Sequence, residues 1–239
     1  VEPGSLPQRR QVSANPIWHP SPNFGDRRAG ALPDLIVIHY TAMASAKAAL
    51  DRLCDPVAEV SAHYLIGRDG TCWQMVDEAA RAWHAGAGSW GDVLDVNSRS
   101  IGIELDNNGQ SPFSAPMMDN LEVLLRRIMK RWAIPPERVI GHSDMAPGRK
   151  ADPGPRFDWR RLARLGLSVW PEPKANCDVA GFSASMSAAG YPDAPLDLQL
   201  SVLRDRFRPW AQGPLDGTDA GIAADLAQRF AIDRAGPSA

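Results

Sequence analysis

Four consecutive apolar residues, Leu35 to Ile38, interrupt a polar, Pro-rich opening, and three of them are β-branched. Such a run predicts a strand buried on both faces, near the middle of a sheet. His39 and Tyr40 stand at its end. The alanine-rich stretch from Ala44 to Cys54 predicts a helix that Asp55-Pro56 stops. AHYLIGRDGTCWQMV reads as two strands joined by a turn at Arg68-Asp69-Gly70. In SIGIELDN, Ile101, Ile103 and Leu105 alternate with Gly102, Glu104 and Asp106, so the strand has one apolar and one polar face. After Pro116, Leu121, Leu124, Leu125, Ile128 and Trp132 recur at helical spacing. RVIGH predicts a short strand ending in His142, and a helix is expected from Trp159 to Leu165. Three further helical patterns follow. They are carried by Phe182 and Met186, by Leu196, Leu200, Leu203 and Phe207, and by Ile222, Leu226 and Phe230, with Thr218 as the expected N-cap of the last.

Strands alternating with helices predict an α/β fold. Residues 1–33, rich in Pro, Ser, Asn and Arg, form an arm with no core of its own. Residues 34–171 make the main domain, PEPKAN reads as a linker, and residues 176–239 hold the small three-helix module. The irregular stretch from Asp77 to Ser98 is long for a compact domain, which marks it as functional. A chain of 239 residues with 44% hydrophobic and 23% charged residues buries a full core and is not disordered. The net charge of −2 removes nucleic acid from the expected partners. Three cysteines without a C-x-x-C pair argue against a disulfide framework and against a cysteine zinc site. No segment has the apolar length to span a membrane, and no apolar leader opens the chain. A cytoplasmic monomer is therefore expected, with a periplasmic location as the alternative if an export signal has been removed.

Candidate chemistry gathers where predicted strands end. His39, His142 and Asp152 sit at such positions, and two imidazoles with one carboxylate suit a catalytic zinc that keeps an open fourth position. The separations are long, so spacing alone argues this weakly. GHSDMAPGRKADPG also carries Lys150, two residues before Asp152, and Glu104 points off the polar face of its strand. A water acidified by a metal, a carboxylate to take its proton and a lysine to hold an oxyanion make a hydrolytic site. His63, inside a strand, reads as a hydrogen-bonded core residue, and His19 as surface. His84 in RAWHAG either lines a substrate groove or holds its loop. Trp83 and Trp90 stack on a sugar or peptide, or serve as loop core. Asn107 binds substrate amides or forms a turn, and Arg149 meets a peptide carboxylate or only solvent. Asp144 is either a partner of His142 or a turn former. Arg204, Arg206 and Arg208 make an anion-binding strip or a solvated helix face.

Together, VIHYTA, SAHYLIGRDG, WHAG, SIGIELDN and GHSDMAPGRKADPGP resemble the zinc-dependent N-acetylmuramoyl-L-alanine amidases of the AmpD and AmiD type. The resemblance spans about residues 14–171, and the helical tail is similar to the peptidoglycan-binding-like module of the AmiD branch. It implies a mixed central β-sheet flanked by helices and one zinc ion on His39, His142 and Asp152. It also implies Glu104 as catalytic glutamate and Lys150 as the lysine that stabilises the transition state. Tyr40, Trp83, His84, Asn107 and Arg149 are the candidate substrate contacts. The implied reaction is hydrolysis of the amide between the lactyl group of N-acetylmuramic acid and L-alanine, on peptidoglycan or its 1,6-anhydromuropeptide fragments. The rival expectation is a non-catalytic muropeptide recognition module on the same fold, which would have lost ligand positions. Here all three are filled.

Overall fold

Apolar strands, one an unbroken run and its neighbour alternating, build the centre of the molecule, here a computed structural model describing residues 15–172 and 177–232. Its strands are β1 (Ile17–Trp18), β2 (Phe24–Gly25), β3 (Leu35–Tyr40), β4 (Tyr64–Ile66), β5 (Cys72–Gln74), β6 (Arg81–Ala82), β7 (Ser100–Leu105) and β8 (Val139–Gly141). The α-helices are α1 (Ala46–Leu53), α2 (Val96–Arg99), α3 (Ala115–Trp132), α4 (His142–Met145), α5 (Trp159–Arg164), α6 (Phe182–Ala188), α7 (Leu196–Phe207) and α8 (Gly217–Phe230). Six strands form one mixed sheet in the order β1-β5-β4-β7-β3-β8, and β2 pairs with β6 beside it. The β3 strand lies between parallel partners β7 and β8, as its unbroken apolar run predicts. The expected hairpin is the antiparallel pair β4 and β5.

Each face of the sheet has its own cover. Ile36 and Ile38 on β3 join Ile101, Ile103 and Leu105 on β7 against Met117, Leu121, Leu124, Leu125 and Ile128 of α3. Each fully buried aliphatic side chain of this kind contributes roughly 1.5–3 kcal/mol. On the other face, Leu35 and Val37 share one cluster with Phe182, Met186, Leu203, Phe207, Ile222 and Leu226 of α6–α8. The three C-terminal helices therefore lie directly on the sheet. PEPKAN ends in residues 173–176, which fall outside the described residues, as do 1–14 and 233–239.

The described part of the N-terminal arm is stitched to the domain. Its first strand, β1, adds a parallel edge to β5. Arg27 is buried, and its guanidinium donates to the carbonyls of Glu78, Ser98 and Ser100. Two local expectations shift. The N-cap of α8 is Asp216 rather than Thr218, because its carboxylate accepts from the amides of Thr218 and Asp219 at 2.8 and 3.0 Å. The arginines of α7 form neither a binding strip nor a solvated face. Arg204 pairs with Asp219, Arg206 with Asp144, and Arg208 with Asp216. Among the described residues no helix is long and apolar enough to cross a membrane.

Candidate metal and catalytic centre

Three separate segments bring the candidate ligands together. His39 is the penultimate residue of β3, His142 opens α4 directly after β8, and Asp152 follows in the Pro/Gly-rich loop. Two backbone features hold the loop against the helix. The Ser143 amide donates to the Asp152 carbonyl at 2.8 Å. A β-carbon on Gly141 would lie 2.7 Å from Pro153 Cδ, so the glycine makes room for the loop.

The donor atoms converge closely. His39 Nδ1 lies 2.9 Å from His142 Nδ1 and 3.0 Å from Asp152 Oδ2, and His142 Nδ1 lies 3.1 Å from that same oxygen. All three residues are buried. His142 Nε2 sits 2.8 Å from the Ala85 carbonyl, which can only accept, so this nitrogen carries the hydrogen and Nδ1 presents its lone pair to the cluster. Tetrahedral bonds of about 2.0–2.1 Å separate neighbouring ligand atoms by about 3.3 Å, close to the spacing here. The His39, His142 and Asp152 group thus has the chemistry and geometry to hold a metal ion. Burial, followed by the neighbouring His142, lowers the His39 imidazole to about 4. Burial also works to raise the Asp152 carboxyl, but the adjoining His142 and His39 rings outweigh it and hold the group well below the usual carboxylate range. A neutral His39 imidazole beside an ionised carboxylate has the ligand forms a divalent metal needs.

Glu104 is the in-register neighbour of His39 on the adjacent strand β7. Its Oε2 is buried and has no hydrogen-bond partner among the described residues. Burial, followed by the nearby Asp152, raises its carboxyl from 4.5 to about 8, while Lys150 opposes the shift. In metal-free protein the fold therefore keeps a proton that the unfolded chain has released between those values. Stability contributed by this group falls as pH rises through that window. Glu104→Gln should remove this dependence. Denaturant titrations in chelator at about pH 5 and about pH 9 should show the variant gaining on wild type only at the higher pH; an equal difference at both would discard the shifted carboxyl.

A cavity of about 500 Å³ opens over the group and is lined by Tyr40, Trp83, His84, Glu104, Arg149 and Lys150 among others. Not every candidate substrate contact reaches it. Asn107 is buried in its own turn, with Nδ2 on the carbonyls of Ser111 and Pro112 and Oδ1 accepting from Gly109, so the turn is its place. Trp90 packs in the core against Tyr191. Arg149 borders the cavity and donates to the carbonyls of Ala85 and Ala87. His63 is the core residue expected, accepting from the Gly102 amide at Nδ1, with Nε2 on the Ala80 carbonyl. Asp144 accepts from the Gly141 amide and thereby steadies the turn that carries His142. The Ala85 carbonyl escaped the sequence reading, since a backbone oxygen leaves no signal in residue type.

The model of the N-acetylmuramoyl-L-alanine amidase family matches residues 29–155, more than half of the chain, a span that includes the candidate ligands His39, His142 and Asp152 together with Glu104 and Lys150. The chain belongs to this family. Among its relatives, the N-acetylmuramoyl-L-alanine amidase AmiD of Escherichia coli (strain K12) is 33% identical, over 83% of this chain and 84% of its own length. The 1,6-anhydro-N-acetylmuramyl-L-alanine amidase AmpD of Haemophilus influenzae is 34% identical, over 67% of this chain and 94% of its own. The solved complex of E. coli AmiD with its substrate anhydro-N-acetylmuramic acid-L-Ala-D-gamma-Glu-L-Lys superposes with a TM-score of 0.76 at 31% identity, covering 94% of this chain and 95% of that one. The likeness to AmiD therefore extends through the C-terminal helices, and the chain is an enzyme of the amidase class rather than a recognition module.

Proposed function

We propose that the protein hydrolyses the amide between the lactyl carbonyl of N-acetylmuramic acid and the L-alanine nitrogen of the stem peptide, with one zinc ion on His39, His142 and Asp152. The observation that carries this reading is the buried convergence of three acceptor atoms beside an unpartnered carboxylate, at the base of a cavity in an amidase fold. Zinc bound there supplies Lewis acidity toward water and the scissile carbonyl. Glu104 Oε2 takes the proton of the attacking water and returns it to the departing alanine nitrogen as the carbon–nitrogen bond breaks. The Lys150 ammonium, exposed at the cavity rim, stabilises the negative charge that develops on the former carbonyl oxygen. Tyr40, Trp83 and Arg149 border the space for the sugar and peptide.

Free 1,6-anhydromuropeptides are the preferred substrate on this reading, supported by the likeness to relatives named for that bond and to a complex holding such a molecule. A monomer acting in the cytoplasm goes with a recycling role, and the periplasm is the alternative. The C-terminal helices are read as a layer of the catalytic unit, supported by the core they share with the sheet. Metal analysis should find one zinc per chain. Mass spectrometry should show free peptide released from anhydromuropeptide faster than from intact sacculi, and chelation should abolish both. Binding of muropeptide without cleavage by the zinc-loaded protein would overturn the reading.

A further inference from the structure

Behind the metal group, His39 is tied to a chain of buried polar atoms that ends on a backbone carbonyl. Its Nε2 lies 3.0 Å from His84 Nδ1. His84 Nε2 lies 3.2 Å from Ser100 Oγ. Ser100 Oγ donates to the Val96 carbonyl at 2.5 Å. A carbonyl can only accept, and this fixes the direction of every proton before it. Ser100 spends its hydrogen on Val96, so its oxygen accepts from His84 Nε2–H. Neutral His84 is then an acceptor at Nδ1, and His39 must donate from Nε2. His39 Nδ1 is left as a lone pair facing His142 and Asp152.

The surroundings keep His84 in this place. A β-carbon on Gly102 would stand 2.4 Å from His84 Cγ, so the glycine in SIGIELDN is the space that admits the ring. Asn97 Oδ1 accepts from the backbone amides of both His84 and Ala85, at 3.1 and 2.9 Å. One two-residue segment thus meets the outer nitrogens of both candidate metal histidines, His39 through the His84 ring and His142 through the Ala85 carbonyl. Although His84 borders the cavity, His39 and Ser100 occupy both its nitrogens, and none remains for a substrate.

We propose that His84 is a positioning residue for the metal, fixing His39 in its Nε2–H tautomer so that the Nδ1 lone pair is presented to the ion. The proposal rests on the metal reading of the site, and its test separates the two. In metal-free wild type, the nitrogen chemical shifts of labelled imidazoles should show His39 protonated at Nε2. In folded His84→Leu the tautomers should mix, and zinc affinity measured by chelator competition should fall about 10–100-fold. His84→Asn, whose amide oxygen can stand where Nδ1 stood, should recover most of that affinity. A role confined to folding would lower stability without moving the tautomer and would give no rescue by Asn. His39 protonated at Nδ1 in the wild type, or wild-type zinc affinity in His84→Leu, overturns the proposal. Because the tautomer is read without metal on the wild-type chain, it decides the relay even if His84→Leu fails to fold. Failure of wild type to bind zinc, with the expected tautomer seen, would count against the metal reading alone.

Discussion

Glu104→Gln should retain stoichiometric metal and lose turnover by about 10²–10⁴-fold, the range for removing a positioned acid–base group. The geometry separates binding from chemistry. Glu104 lies beside His39 across the β3–β7 pair, yet it is not among the three residues whose donor atoms converge. Its Oε2 is buried with no partner among the described residues, an expensive state for a carboxylate that serves only the fold. Glutamine keeps the size and one carbonyl acceptor and removes the ability to take a proton. Metal content and single-turnover rate on an anhydromuropeptide, measured on the same sample, decide the matter. Full turnover in the metal-loaded variant would end the catalytic assignment. Loss of metal together with turnover would make Glu104 part of the ligand sphere instead.

Legibility of this site in the sequence followed the physics of each residue. His39 sat at the end of an unbroken apolar run and Glu104 near the end of a strand with a clear period-two pattern, and adjacent parallel strands place such ends side by side. His142 ended the short predicted strand RVIGH, and Asp152 followed in a loop. Spacing argued their union with His39 only weakly and the segment resemblance strengthened it, because a loop held by Ser143, Gly141 and Pro153 has no periodicity to read. His84 divided evenly between groove and loop because its role depends on tautomer bonds to residues 45 positions before it and 16 after it. The helices of the tail were legible from their spacing. Their partner was not, since an apolar stripe says that something is covered without saying what. The arginines of α7 were least legible of all, because a charged residue on a helix reads as solvated until its buried partner is known.

Arg206→Ala should destabilise the protein by about 3–5 kcal/mol, the cost of leaving a buried charge without its partner. Both side chains of the Arg206–Asp144 pair are nearly inaccessible, at 4% and 2% exposure. Arg206 also donates to the Val139 carbonyl and Ser168 Oγ, and its guanidinium lies 4.1 Å from the centre of the Trp159 ring. It thereby links α7 to β8, α4 and α5 at once. Asp144 Oδ2, its partner, also accepts from the Gly141 amide at 2.7 Å, next to the candidate ligand His142. Damage should therefore reach the metal, with weaker zinc retention accompanying the lower unfolding midpoint. Adding Asp144→Asn to Arg206→Ala removes the stranded charge and should restore part of the stability, so the double variant is more stable than the sum of the singles predicts. Simple additivity in that cycle would mean that the two residues act separately. A loss of stability with zinc affinity unchanged would confine the helical layer to holding the sheet, with no hand in the geometry of His142.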